Sequence, residues 1–248
     1  MKVLVFDLIG KMAHFRKYYT NSSSLSYYFP PRTTTIGLIA GIIGRERDQY
    51  YEDFSEDKTG IAISIKTNLR KKINTVNYIK AENKNELNLS RKEHTQVPLE
   101  LILPDEYDKE LIYRIFFYHR DQNVFDEVVE NVKNEKVKFP PYLGISECIG
   151  NIKFIYYGDV KEEEKENPEI NSIVSVDFIS RNNCTIEPYE GALYVKELMP
   201  FSFDSNRMPK NSPREYIAEI KKGKIKIRGK IKVKVIEELN ENFLFMEE

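Results

Sequence analysis

With 248 residues, 41% hydrophobic and 31% charged, the chain holds enough apolar material for a packed core, which excludes a disordered tail or a collagen-like rod. Its 38 Lys plus Arg nearly balance 39 Asp plus Glu, no apolar run reaches the roughly 18 residues of a membrane span, and no signal-peptide core follows Met1, so a cytosolic protein is expected. Cys148 and Cys184 sit in no paired motif, which disfavours a disulfide framework and a cysteine zinc site.

Residues 2–8 (KVLVFDL) read as a buried strand. A long polar and aromatic loop follows, and the spacing predicts a helix after Pro30 and Pro31, with Thr33, Thr34 and Thr35 as capping hydroxyls and Ile36, Leu38, Ile39, Ala40, Ile42 and Ile43 as its apolar body up to Gly44. Gly37 and Gly41, four apart, predict a smooth face packed closely on a sheet. Residues 61–67, 73–79, 97–103 and 111–119 alternate as strands, and the polar stretch 78–97 reads as a protruding hairpin or flexible loop. Asn123 is the expected cap of a second helix carrying Phe125, Val128, Val129 and Val132 and ending near Lys133. A strand at 151–157 follows.

This order of strand, helix, strands, helix, strand is the split βαβ pattern of RNA-recognition domains. The expectation is an α+β chain: a ferredoxin-like domain over residues 1–158 with an insertion at about 78–97, an acidic linker at 159–170, and a small β-rich domain over 171–248. Residues 172–179, 192–199, 224–228 and 230–236 are the expected strands of the last part, with turns at Asn182 and Asn183, Glu190 and Gly191, and Lys222 and Gly223.

The net charge of −1 hides segregation. Residues 11–44 hold Lys11, Arg16, Lys17 and Arg32 and no acid; residues 66–94 hold eight basic and three acidic residues, among them Lys71, Lys72 and Lys92; and eight of the fourteen residues 221–234 are Lys or Arg. The loop 10–32 interleaves its cations with Phe15, Tyr18, Tyr19, Tyr27, Tyr28 and Phe29, which suits phosphate neutralisation and stacking on splayed RNA bases; filling a core beneath the loop is the plainer alternative. The helix N-terminus at Thr33 and Thr34, beside Arg32, offers a phosphate site. Gly144, in a turn expected close to the first-strand loop, serves either a ligand's approach or the turn itself. The lysines of residues 221–234 form amphipathic strands whose cationic face reads more as solvated surface than as a binding site.

Catalytic signals are thin. His14, His94 and His119 lack metal-ligand spacing and there is no phosphate-binding glycine fingerprint, so no metal and no cofactor are expected. The one arrangement able to cleave RNA is His94 with Lys92, joined by Tyr18 or Tyr78, the histidine moving a proton and the lysine neutralising developing phosphorane charge.

The stretch Gly10-Lys11-Met12-Ala13-His14-Phe15-Arg16, leading into Tyr27-Tyr28-Phe29-Pro30-Pro31-Arg32-Thr33-Thr34 and the glycine-bearing helix to Gly44, together with Pro141-Tyr142-Leu143-Gly144, resembles the CRISPR-associated Cas-five proteins of the RAMP superfamily, particularly those of type I-B systems. The resemblance implies a non-catalytic subunit of a Cascade-type surveillance complex that holds the 5′ handle of the CRISPR RNA (crRNA), with Arg32, Thr33 and Thr34 at the handle and residues 78–97 as a thumb. The backbone Cas-seven subunit and the large subunit are the implied neighbours, and target DNA is met through the complex. Family members often carry basic residues after the Leu-Gly of the glycine loop, whereas Ile145, Ser146 and Glu147 follow here. Two other readings stand beside it: a metal-independent endoribonuclease using His94 and Lys92, and a protein-only scaffold. Replacing Arg16, Lys17 and Arg32 with alanine is expected to release RNA without unfolding the chain.

Overall fold

Both faces of the first strand are covered, and its alternation shows how. In the computed structural model, which describes residues 1–21, 23–80, 83–84 and 94–248, β1 (Lys2–Gly10) turns Leu4, Phe6 and Leu8 to one side and Val3 and Val5 to the other, all at 2% exposure or less. It is followed by β2 (Phe15–Arg16), β3 (Ser26–Tyr27), α1 (Arg32–Ile42), β4 (Thr59–Ile65), β5 (Leu69–Ile79), β6 (His94–Pro104), β7 (Leu111–His119), α2 (Gln122–Lys133) and β8 (Gly150–Asp159). β4, β7, β1 and β8 pair in that order into an antiparallel sheet. Leu4, Phe6 and Leu8 join Ile36 and Ile39 of α1 and Phe125 and Val128 of α2 in the main core.

The helices differ in detail from expectation. α1 begins at Arg32 with Pro31 before it and no side-chain cap; the Thr35 hydroxyl donates back to the Pro31 carbonyl at 3.1 Å, so the threonines lie inside the first turn. Proline's fixed φ already sets the entry. Gly37 and Gly41 do not face the sheet. They lie on the half-exposed side, under the Tyr50 hydroxyl and the Phe139 side chain, while Ile36, Ile39, Ala40 and Ile42 face inward. The cap of α2 is Asp121, whose carboxylate accepts from the Asn123 and Val124 amides, rather than Asn123 itself.

Beyond β8 come β9 (Lys161–Glu166), β10 (Glu169–Ile170), β11 (Val174–Ser175), α3 (Val176–Arg181), β12 (Thr185–Ile186), β13 (Tyr194–Met199), β14 (Arg214–Glu219), β15 (Ile225–Arg228), β16 (Lys230–Ile236) and β17 (Glu241–Phe243). The acidic stretch expected as a linker is therefore a strand. β9 pairs antiparallel with β16, and its carboxylates meet that strand's lysines: Lys230 reaches Glu164 at 2.7 Å and Lys234 reaches Glu162 at 3.8 Å. Opposite charges across a ladder replace the apolar pattern that usually marks a strand. The stretch 172–179 is likewise corrected: only Val174–Ser175 is extended, and Ser175 caps α3 by accepting the Phe178 amide. The three expected turns hold, with Asn183, Gly191 and Gly223 at positive φ.

The second face of β1 packs on this later material. Val3, Val5, Ala62 and Phe116 meet Val160, Ile236, Phe243 and Phe245, with Phe116 stacked on Phe243 at 4.3 Å. The main core also draws in Met199, Phe201, Tyr216, Ala218, Ile220 and Met246. At the rim of the covered face, Asp7 and Arg114 stand opposite each other in register and form a bidentate pair at 2.8 and 3.0 Å. Arg114 continues to Glu241 at 2.5 Å, and Glu241 to Lys66 at 2.8 Å. No helix among the described residues is long and apolar enough to cross a membrane.

Candidate nucleic-acid interface

The sheet face that RNA-recognition domains leave bare for bases is covered here by β16 and β17, which leaves the loops at the sheet's rim as the candidate surface. The acid-free loop after β1 is the largest of these, and several contacts hold it. His14, 2% exposed, donates from Nδ1 to the Glu100 carbonyl at 2.8 Å and accepts at Nε2 from the Ser24 hydroxyl at 2.9 Å. Burial holds its pKa below 6.5, with the Glu100 carbonyl opposing and Arg16 assisting, so the ring is neutral. The Tyr113 hydroxyl donates to the Tyr28 carbonyl at 2.8 Å, and Tyr27 to the Leu198 carbonyl at 2.9 Å. Phe15, Tyr27 and Phe29 lie in the core. Half of the aromatics thus take the plainer, core-filling role.

The cations divide the same way. Arg32 is 1% exposed and points inward: Nε meets Glu247 at 2.5 Å, its terminal nitrogens reach the carbonyls of Phe201, Phe54 and Thr59 at 3.3 to 3.5 Å, and the Phe201 ring lies 5.0 Å away. It belongs to the interior, not to an RNA surface. Thr33 lines a cavity of about 70 Å³ beside α1 whose wall sets Glu56 and Asp57 against Lys210 and the already paired Arg32, so no surplus of positive charge marks this helix end. Lys17 is held by buried Glu197 at 2.5 Å, and Lys71 by Glu100 at 2.9 Å, the Ser26 carbonyl at 2.6 Å and the Tyr28 ring at 4.2 Å. These two lysines anchor the loop. The triple alanine variant anticipated from the sequence would remove two buried pairs and is no longer a clean test.

What remains on the surface is Lys11, Arg16, Tyr18, Tyr19 and Lys72. Tyr18 and Tyr19 are 49% and 51% exposed and meet edge to face at 5.2 Å. Arg16 donates to the Thr20 carbonyl at 3.3 Å, and Lys11 reaches exposed Glu110 at 3.2 Å. The turn holding Gly144 does run against the loop, since the His14 amide donates to the Leu143 carbonyl at 3.0 Å. At φ +96, a Cβ on Gly144 would lie 2.0 Å from the His14 carbonyl oxygen, so the glycine is required by the chain's own backbone rather than by a ligand.

Of the cleavage pair, Lys92 lies outside the described residues, as do positions 81–82, 85–91 and 93 of the expected excursion. The flanking strands do form a hairpin. β5 and β6 pair over eleven positions, from Leu69 with Pro104 to Ile79 with His94. Its distal part carries exposed Ile73, Tyr78 and Ile79. The Cys148 thiol is pushed up to about 11 by burial and stays protonated, unsuited to nucleophilic work. Among the described residues no cluster of His, Cys, Asp or Glu has metal-binding geometry.

The molecule is thus a strand-rich α+β protein with a pinned loop of cations and tyrosines. A family model described as CRISPR-associated protein (Cas_Cas5) matches residues 3–225, and the chain belongs to this family. In fold it is similar to a CRISPR protein from Archaeoglobus fulgidus, at 12% identity and a TM-score of 0.59, covering 98% of this chain and 97% of that one. A chain from a structure titled "CRISPR RNA-guided surveillance complex" aligns at 14% identity and a TM-score of 0.45, over 96% of this chain and 92% of that one. No curated protein matches.

Proposed function

We propose that this chain is an RNA-binding structural subunit of a type I, I-B-like CRISPR surveillance complex, and that it holds the 5′ handle of the crRNA along the loop between β1 and α1. The observation that carries this reading is the exposed set Lys11, Arg16, Tyr18 and Tyr19 on a loop fixed by His14, Lys17 and Lys71, with Lys72 exposed on the neighbouring strand β5. Cations supply affinity through phosphates, tyrosines supply platforms for unstacked bases, and a preorganised loop has little ordering entropy left to lose. Family membership supports the CRISPR context. The strand order β4-β7-β1-β8, with a helix in each of two connections, supports a ferredoxin-like arrangement of the N-terminal part. Exposed Ile73, Tyr78 and Ile79 on the hairpin suit packing against a protein neighbour such as the Cas-seven backbone, the large subunit taking another face, and target DNA being met through the complex.

The test is a gel shift with end-labelled CRISPR repeat RNA in EDTA, read for binding and cutting together. A shift without cutting is expected, strongly weakened in Arg16→Ala/Lys72→Ala and in Tyr18→Ala/Tyr19→Ala with the thermal transition intact. Unchanged affinity in both variants removes the proposed site. Site-specific cutting that disappears in His94→Ala would instead make the chain the processing nuclease.

A further inference from the structure

Where β4 ends, Lys66, Thr67 and Asn68 form a wall shared by two adjoining cavities of about 150 and 540 Å³. The smaller is lined by Lys66, Lys221, Lys222 and Lys224 together with Asn68 and Asn171, and no carboxylate lies on its wall among the described residues. The larger extends to Lys11, the first cation of the loop after β1, and to Lys109, and its wall also carries Glu106, Asp108 and Glu110, the last of them 3.2 Å from Lys11 and exposed. The turn at 221–224 is rigid by construction. Buried Glu219 accepts the amides of Leu193, Lys221, Lys222 and Gly223 at 2.5 to 2.9 Å, and Gly223, at φ +66, lies so near β4 that a Cβ would come 2.3 Å from the Ile65 carbonyl oxygen. With its backbone donors turned inward onto Glu219, the turn leaves its lysine side chains to line the groove.

Three of these four amines have replaceable partners on the protein. Lys221 meets Asp105 and Lys224 meets Glu169, both half-exposed acids, and Lys222 meets the Glu190 carbonyl at 2.9 Å; only Lys66 is held by a buried carboxylate, Glu241. Exposed pairs of this kind are weak and yield to a phosphate that can meet several amines together. The other cations of the basic stretch lie outside this cavity: Lys226 shares Glu169 with Lys224, and exposed Lys230 faces Glu164 of β9. Lys234 departs from the solvated face expected from the sequence, since it is buried between Glu162 and Glu248.

We infer that Lys66, Lys221, Lys222 and Lys224 form a second phosphate groove, continuous through Lys11 with the loop, that takes the phosphodiester backbone of the same single-stranded RNA. This rests on the RNA-binding reading of the loop. Anisotropy titrations of labelled CRISPR repeat RNA over a range of KCl separate the two claims. Lys222→Gln/Lys224→Gln, both at exposed positions, is expected to lower the slope of log affinity against log salt by about 1.4, two contacts at about 0.7 each, with an unchanged melting temperature. Lys153→Gln/Lys232→Gln, which removes two exposed cations outside the groove, is expected to leave the slope unaltered. If the turn variant binds as wild type while Arg16→Ala/Lys72→Ala weakens binding, the groove is wrong and the loop reading stands. If neither variant changes binding, both fall. An equal slope loss in Lys153→Gln/Lys232→Gln would reveal general electrostatics and overturn the groove.

Discussion

A guanidinium is tolerated in an interior only where its N–H groups meet acceptors, and Arg32 meets one carboxylate and three carbonyls. Its partner Glu247 also accepts the Ile61 amide at 3.0 Å, so the pair ties the start of α1 to β4 and to the segment after β17. Arg32→Ala leaves a buried, unpaired carboxylate and should cost about 3–5 kcal/mol. Lysine should not rescue it, because an ammonium cannot span these acceptors. Urea unfolding measures this, and a loss below about 1 kcal/mol would show that the pair does not hold the segment. His14 makes a second prediction. Burial lowers its folded-state pKa, so below pH 6.5 the unfolded chain takes up a proton that the folded chain refuses. Stability should therefore fall as pH drops through 6.5, by at most about 1.4 kcal/mol per pH unit. His14→Gln should remove this dependence in melting curves between pH 7.5 and 5.5; an identical pH profile in the variant would show that His14 is not its source.

At the scale of elements, the β5–β6 hairpin has its own ladder of eleven paired positions, separate from the sheet of β4, β7, β1 and β8. Replacing residues 80–93 by Asn-Gly should close a two-residue turn between the paired Ile79 and His94 and leave the melting temperature within a few degrees of wild type. A collapse of stability would mean that the excised residues brace the body. This hairpin, β7 and β16 were legible from sequence because apolar alternation is a local signal; Leu111–His119 and Lys230–Ile236 begin and end where the pattern does. β9 was not legible. Its run of acids, Glu162, Glu163, Glu164 and Glu166, becomes a strand only against β16, more than sixty residues away. The same limit applies to the site. The mixture of cations and aromatics in the loop could be read directly, but the sorting of Arg32 to the interior depends on Glu247, 215 residues on, and that of Lys17 on Glu197, 180 residues on.

Across the whole molecule, the sheet's two faces are filled by material from opposite ends of the sequence. Met199, Tyr216 and Met246 enter the core beside Phe6 and Phe125, and the pairs Asp7–Arg114, Arg114–Glu241 and Glu241–Lys66 run from β1 to β17. Neither half keeps a closed core when the other unfolds, because each would expose apolar surface and an unpaired charge that the other now covers. Unfolding should therefore be one transition, although the sequence suggested two domains. The chain has no tryptophan, but its two cysteines are well placed as reporters. Cys148 is buried before β8, Cys184 is buried after α3, and burial raises both thiol pKa values, so alkylation requires opening. With Cys184→Ser and Cys148→Ser variants each leaving one thiol, brief alkylation pulses across a urea series should give coincident midpoints, and far-UV circular dichroism should follow the same curve. Exposure of Cys184 at clearly lower urea than Cys148 would show that the later strands detach first, and that the groove proposed at Lys66 and Lys224 can open separately from the loop.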